Sequence, residues 1–163
     1  MLTLRDAKAA DAPVILDLIR ALATYEREPD AVVATVDDLV RDGFGSKPLF
    51  HVILAEWDGV PVGFAFYFLA YSTWRGRGVL YLEDLFVLPS HRGKRIGVTL
   101  MQRLAQEAVA RKCDRFVWQV LDWNEPAIRF YESLGARVRK EWLAVRMEEE
   151  AIARLAESGR AEG

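Results

Sequence analysis

The sequence predicts an α/β fold in which helices alternate with the strands of one mixed sheet. A strand followed by two helices opens the chain, and three strand-like runs stand together in its middle. A helix–strand–helix–strand succession fills the remainder. The predicted order is therefore β-α-α-β-β-β-α-β-α-β. With 163 residues, the chain has the length of a single domain.

The first third of the chain carries one strand and two helices with recognisable ends. Residues 2–7, LTLRDA, alternate between apolar and polar side chains, which is typical of a strand. Asp11, with Pro13 in the first turn, begins a helix whose apolar residues recur at helical spacing. Thr35 is a suitable N-cap for a second, short helix that ends at Gly43.

Three strands follow, with the sequences FHVILAEW, PVGFAFYFLAY and VLYLEDLFVL. Asp58-Gly59 separates the first two and predicts a tight hairpin. A long helix then begins near Ile96, and RFVWQVL is the next strand. Asn124 caps a short helix that Gly135 ends, and WLAVRM, residues 142–147, is the predicted final strand. We expect one domain over residues 1–150 and a helical or frayed tail over 151–163.

Composition excludes several classes of function. The formal net charge of -2 argues against general binding to nucleic acid. Cys113 is the single cysteine, so neither an internal disulfide framework nor a CxxC metal site is expected, and we predict no metal. No apolar run reaches the roughly 18 residues of a membrane helix, and the N-terminus lacks the apolar core of a signal peptide. We therefore expect a cytoplasmic protein without membrane contact.

The stretch PSHRGKRIGVTLMQRL, residues 89–104, predicts an anion site. Two glycines and several cationic side chains stand between a strand and a helix, where backbone N–H groups can meet a phosphate. The loop matches neither GxxxxGK[ST] nor GxGxxG, so mononucleotide P-loops and dinucleotide folds are disfavoured. From these residues alone, a solvated turn that merely caps the helix remains an equal alternative.

Longer motifs decide between these two. LYLEDLFVLPSHRGKRIGVTLMQRL, followed by VLDWNEPAIRFYESLGA, resembles the GNAT superfamily of N-acetyltransferases. LATYE, DGFG and YSTWRGR extend the resemblance over nearly the whole chain, and are most similar to the diamine acetyltransferase branch, which comprises spermidine/spermine and thialysine acetyltransferases. The resemblance implies a mostly antiparallel central sheet, acetyl-CoA as co-substrate, and a homodimer.

In that family the loop binds the pyrophosphate of acetyl-CoA, and the end of the preceding strand pairs with the pantetheine arm. This chain departs from the family pattern at Arg95, where a glycine is usual. The coenzyme-binding residues implied by the resemblance are Leu85, Phe86, Val87, Arg92, Gly93, Lys94, Arg95, Ile96, Gly97, Val98, Asn124, Glu125, Pro126, Ala127 and Tyr131.

The resemblance also assigns the chemistry. Tyr131 matches the general acid that protonates the leaving thiolate, and Glu83 matches the residue that deprotonates the substrate ammonium through water. Strand alternation places Asp84 on the face opposite Glu83. The substrate-binding residues implied in this way are Tyr25, Glu26, Trp74, Glu83, Asp84 and Glu141.

The sequence thus predicts an acetyl-CoA-dependent N-acetyltransferase that acts on a primary amine of a small molecule, a thialysine-like amino acid or a diamine, by direct attack in a ternary complex. A non-catalytic acyl-CoA sensor and a protein lysine or N-terminal acetyltransferase remain alternatives. Ser72 stands where polyamine enzymes tend to carry an acid, and Arg75 and Arg77 could meet a substrate carboxylate. These residues favour a thialysine-like amino acid over a polyamine.

Overall fold

The structure, a computed structural model, describes residues 1–158. Its chain forms two compact units, Met1–Gln119 and the residues from Val120 onward. The elements are β1 (Leu2–Asp6), α1 (Ala12–Tyr25), α2 (Val36–Gly43), β2 (His51–Trp57), β3 (Val60–Ser72), β4 (Arg77–Val87), α3 (Ile96–Ala110), β5 (Arg115–Val117), α4 (Glu125–Ser133) and α5 (Glu149–Ser158).

The first unit contains one five-stranded sheet in the order β1-β2-β3-β4-β5. All neighbours are antiparallel except β4 and β5, which run parallel, so the predicted mixed and mostly antiparallel α/β fold is confirmed. Asp58 and Gly59 have φ values of 51° and 80°, the pair of positive values that a type I′ hairpin turn requires. Among the described residues, no helix is both long enough and apolar enough to cross a membrane.

Helices cover the sheet through two sets of buried side chains. Leu18 and Leu22 of α1 join Leu39 of α2 in a core with Phe64 of β3 and Phe86 of β4. The helix α3 packs against strands β2 to β5. The residues that α3 buries are Ile96, Leu100, Met101 and Leu104. Because both sets shield apolar surface from water, strands β2 to β4 carry long apolar runs rather than a simple alternation.

One irregularity in β4 changes which side chains share a face. Leu82 pairs with Tyr67 and Asp84 pairs with Phe66, so Glu83 is skipped in the register and forms a β-bulge. Because Tyr67 and Phe66 are consecutive on β3, Leu82 and Asp84 lie on opposite faces of the sheet. Asp84 therefore shares the face of Phe86 and α1. Because alternation does not continue through the bulge, the expectation that Glu83 and Asp84 face opposite ways no longer follows from the strand pattern.

The second unit contains α4 and α5. Asn124 is the N-cap of α4, as predicted, and its side chain accepts a hydrogen bond from the Ala127 N–H at 3.4 Å. The predicted final strand over residues 142–147 is wrong, since the described residues show no strand there. Trp142, Leu143 and Val145 are 71%, 86% and 96% exposed, so neither alternating set of side chains is buried. Apolar alternation forms a strand only where a neighbour pairs and covers it.

The C-terminal tail is helical as far as Ser158, while residues 159–163 of the predicted tail lie outside the described residues. The predicted strand over residues 115–121 is shorter, Arg115–Val117. The single domain expected over residues 1–150 stays a prediction.

Candidate active site

Two carboxylates stand at the bulge of β4. Glu83 and Asp84 together oppose Phe66 of β3. Glu83 is exposed and Asp84 is partly buried on the face that α1 covers. Glu26, the C-cap of α1, adds a third, partly buried carboxylate that acts electrostatically on Asp84. The arrangement gathers negative charge from two elements where an ammonium group could be bound.

Burial and like charge shift the protonation of this group. Burial raises the pKa of Asp84 to about 7, and the charges of Glu83 and Glu26 add to the effect. Burial also raises the pKa of Glu26 above its usual value. A carboxyl group that titrates near neutral pH can accept a proton and return it within the physiological range. Asp84 is thus chemically suited to accept a proton.

The loop that follows β4 has the backbone of an anion site. Gly93 and Arg95 both have positive φ, at 78° and 64°, and α3 begins at the next residue, Ile96. The N–H of Thr99 donates to the carbonyl of Arg95, so the preceding first-turn N–H groups have no acceptor within the helix. Residues 96–98 therefore offer donors at the positive end of a 15-residue helix.

The cations of this loop contact aromatic rings. The Arg92 guanidinium lies 4.4 Å from the centroid of the Tyr25 ring, and its Nε donates to the carbonyl of Val87 at 3.2 Å. The Lys94 ammonium lies 4.7 Å from the centroid of the Trp57 ring. Within residues 1–158, Arg92, Lys94 and Arg95 form no ion pair with a carboxylate. Their positive charge therefore remains available to an external anion.

The second unit holds the remaining predicted site residues. Asn124 is buried at the start of α4, and Glu125, Pro126 and Ala127 form the first turn of the helix behind it. Tyr131 lies one turn further along α4, partly buried and with its ring 5.3 Å from that of Phe130.

Comparisons with known proteins show the family to which this chain belongs. The acetyltransferase (GNAT) family pattern matches residues 14–136. A thialysine N-epsilon-acetyltransferase of Sus scrofa is 41% identical over 94% of this chain and 96% of its own length. The chain belongs to the GNAT family of N-acetyltransferases.

A further relative and two solved structures are also similar to this chain. A thialysine N-epsilon-acetyltransferase of Caenorhabditis elegans is 32% identical over 90% of this chain and 91% of its own length. An integron cassette protein of V. cholerae has a TM-score of 0.80 at 29% identity, covering 95% of this chain and 97% of its own. An aminoglycoside acetyltransferase from a soil metagenome has a TM-score of 0.77 at 17% identity, over 90% and 95%, and shows the fold alone.

GNAT acetyltransferases use acetyl-CoA as co-substrate, and the loop of this chain fits a pyrophosphate group. An ideal Cβ placed on Gly93 would meet no atom within 4 Å, so space is open beside the backbone. The first turn of α3 begins directly after Arg95 in the same loop, which also carries Arg92 and Lys94. The residues that would hold the phosphates are Arg92, Gly93, Lys94, Arg95, Ile96, Gly97 and Val98.

Within the first unit of this GNAT protein, the predicted substrate residues divide into two groups. The fold brings Glu26 near Asp84 and its neighbour Glu83, and it places Tyr25 beside Phe86. Trp74 stands apart, since it lies in the β3–β4 turn, 90% exposed. Arg77 begins β4, and the six steps to Glu83 at about 3.3 Å each put them roughly 20 Å apart.

The turn between β3 and β4 has a polar network of its own. The turn borders an open cavity of about 320 Å³. The residues that line this cavity are Ser72, Trp74, Arg75, Asp114 and Arg115. Ser72 is buried and accepts a hydrogen bond from Arg115 at 2.9 Å, while Arg75 pairs with Asp114 at 3.1 Å. The guanidinium of Arg75 is thus paired with Asp114 at this turn, and a contact of Arg75 and Arg77 with a substrate carboxylate stays a prediction.

Glu141, the last predicted substrate residue, belongs to the second unit. It is exposed and ion-paired with Arg139, and this hydrogen bond lowers the pKa of Glu141. A pairing of this kind is typical of a solvated surface.

The burial of Asp84 and the contact of Trp57 with Lys94 were not predicted from the sequence. The pattern contained a signal for Asp84, since two acids interrupt the apolar run VLYLEDLFVL, but alternation alone could not say which one is buried. For Trp57 there was no signal, because its contact with Lys94 joins the end of β2 to a loop far along the chain.

Replacement of Arg95 by glycine should stabilise this GNAT fold or leave it unchanged. A residue with a side chain costs about 1–2 kcal/mol in the left-handed region, and glycine relieves this but loses about 0.5–1 kcal/mol of backbone entropy. We expect Arg95→Gly to raise the free energy of unfolding by up to about 1 kcal/mol in urea titrations. Arg95→Ala removes the charge but keeps the Cβ, and should show no such gain. An equal gain in both variants would attribute the effect to charge rather than to φ.

Proposed function

We propose that this protein is an acetyl-CoA-dependent N-acetyltransferase that acts on a primary amine of a small molecule by direct attack in a ternary complex. One observation carries the proposal. A carboxylate pair lies at the bulge of β4, and a loop with the backbone of an anion site follows directly after β4. Acetyl-CoA supplies an acetyl group activated as a thioester.

The carboxylates bind the ammonium group and remove its proton. Glu83 is exposed and can contact an arriving amine, and family resemblance gives it the role of base. Asp84 has a pKa of about 7, and a general base is most effective when its pKa lies near the pH of the solution, so Asp84 fits that role near neutral pH. We propose that the proton leaves the amine to this pair, with Glu26 adding negative charge at the end of α1.

The backbone at the end of β4 and the first turn of α3 hold and orient the co-substrate. Leu85, Phe86 and Val87 would bind its pantetheine arm, and the loop after β4 its phosphates. Asn124 and the first turn of α4 would bind the other side of the arm. Tyr131 would donate the proton that the leaving thiolate needs, since a phenol and a thiol have ordinary pKa values in a similar range.

The substrate class rests on the relatives. Thialysine acetyltransferases of three mammals are 39–41% identical over 94% of this chain, and an L-ornithine N5-acetyltransferase of Arabidopsis thaliana is 29% identical over 91%. A human spermidine/spermine N(1)-acetyltransferase-like protein is 41% identical over 82% of this chain but only 20% of its own length. We propose a small amino acid with a terminal side-chain amine as the preferred substrate. We also propose that the active protein is a homodimer in the cytoplasm.

The test is thiol release from acetyl-CoA with a panel of amines. We expect a higher kcat/KM for thialysine than for spermidine at fixed acetyl-CoA, with lysine and ornithine measured beside them. Coenzyme A should also raise the melting temperature, because it binds only the folded state. A higher kcat/KM for spermidine would overturn the substrate class. A raised melting temperature without thiol release from any amine or peptide would identify a sensor, and release with peptides alone a protein acetyltransferase.

A further inference from the structure

Aromatic rings from two distant elements contact the loop cations. Tyr25 is the last residue of α1 and Trp57 the last of β2, and each is partly buried. Tyr25 lies over Arg92 at 4.4 Å, and Trp57 lies over Lys94 at 4.7 Å. A cation within about 6 Å of a ring centroid is attracted by the negative face of the ring. Both contacts meet this condition.

The Arg92 contact has a second point of support. Its Nε donates to the carbonyl of Val87, the last residue of β4, and the guanidinium also lies 5.7 Å from the Phe86 ring. Tyr25 and Phe86 are neighbours, with ring centroids 6.4 Å apart. The base of this arginine is therefore held by α1 and β4 together. A guanidinium has five N–H donors, so several remain available for a bidentate contact with phosphate.

Lys94 contacts the ring of Trp57, which is partly buried. Trp57 also neighbours His91, with ring centroids 6.3 Å apart, so its ring contacts two residues of the loop region, His91 and Lys94. Lysine and arginine are among the side chains that lose the most rotamer entropy when they are immobilised. A cation that already rests on a ring loses less of this entropy when the ligand binds.

We propose that Tyr25 and Trp57 are positioning residues of the coenzyme site, whose rings hold Arg92 and Lys94 at the loop so that both cations are in place for the coenzyme phosphates. The proposal rests on the proposed function, and it changes the role of Tyr25. Resemblance places Tyr25 at the amine, whereas here Arg92 covers its ring. Trp57 gains a role that sequence alone did not indicate.

The test is the dissociation constant of coenzyme A, measured by calorimetry on the full chain. Tyr25→Leu and Trp57→Leu should each weaken binding about 3- to 10-fold, as loss of one cation–ring contact implies. Tyr25→Phe keeps the ring and should bind within about twofold of the wild type. Urea unfolding of every variant confirms that the folded fraction is the same before titration.

Crossed double variants separate positioning from general damage. In an Arg92→Leu background, Tyr25→Leu should have no further effect on coenzyme A binding, while Trp57→Leu keeps its full effect. In a Lys94→Ala background the reverse should hold, since each ring acts through its own cation. Additive effects in both backgrounds, or equal losses in Tyr25→Leu and Tyr25→Phe, would overturn the proposal. Failure of the wild type to bind coenzyme A would instead overturn the proposed function itself.

Discussion

Tyr131→Phe should lower kcat about 10²- to 10⁴-fold, because loss of a general acid leaves the thiolate to depart without a proton. The change removes one hydroxyl group and keeps the ring that packs beside Phe130 on α4. Coenzyme A affinity and the free energy of unfolding should stay near the wild-type values. Steady-state kinetics with thialysine, together with calorimetric titration of coenzyme A, measure the two quantities separately.

Phe130→Leu is the matched control for this substitution. It alters the neighbouring aromatic residue on α4 and leaves the Tyr131 hydroxyl in place. Its kcat should fall by far less than that of Tyr131→Phe. If the tyrosine variant keeps an activity within a few-fold of the wild type, Tyr131 is a packing residue and the proton comes from elsewhere.

Asp84→Asn should change the dependence of both stability and activity on pH. The folded protein keeps the Asp84 proton up to a pKa of about 7, whereas the unfolded chain releases it near pH 4. The free energy of unfolding should therefore fall as pH rises from about 4 to 7 and then level off. At pH 8 the amide variant avoids burial of a charge, and we expect it to be more stable than the wild type by about 2–4 kcal/mol.

Activity provides the second part of this experiment. If Asp84 accepts the amine proton, kcat/KM should rise with pH to a plateau above about 7, and Asp84→Asn should lower that plateau strongly. Glu83→Gln removes one of the charges that raise the Asp84 pKa, so it should move the acidic limb of the profile to lower pH.

Asp17→Asn, the same atomic change on the exposed surface of α1, should leave both curves unchanged. A wild-type profile without an acidic limb, or one that Asp84→Asn leaves intact, would exclude Asp84 as the base.

Local signals in the sequence predicted those parts of the fold that depend on a few neighbouring residues. Thr35 caps α2 with a hydrogen bond from the Asp38 N–H, and Asp58-Gly59 forms the hairpin turn. The glycine-bearing loop likewise lies where the strand-to-helix pattern put it. Caps and tight turns are specified by the chemistry of one or two side chains, which the sequence displays directly.

Features that depend on distant partners could not be predicted in this way. The alternation of residues 142–147 describes two potential faces but does not name a neighbouring strand, and no strand forms there among the described residues. The pKa of Asp84 depends on burial beneath α1 and on Glu26, which the chain brings near only after folding. The contact between Tyr25 and Arg92 likewise joins the end of α1 to a loop far along the chain, and nothing local connects the two.

At the bulge, a substitution of Glu83 can change the charge of this region while the backbone keeps its shape. A single substitution at Glu83 can remove or replace a charge, but two residues of β4 still oppose Phe66, and Asp84 keeps its face. Only an insertion or a deletion can alter that two-to-one count. Divergence by point mutation can therefore exchange one acid for another while the scaffold is inherited intact, so that new substrate preferences need not begin with a new backbone.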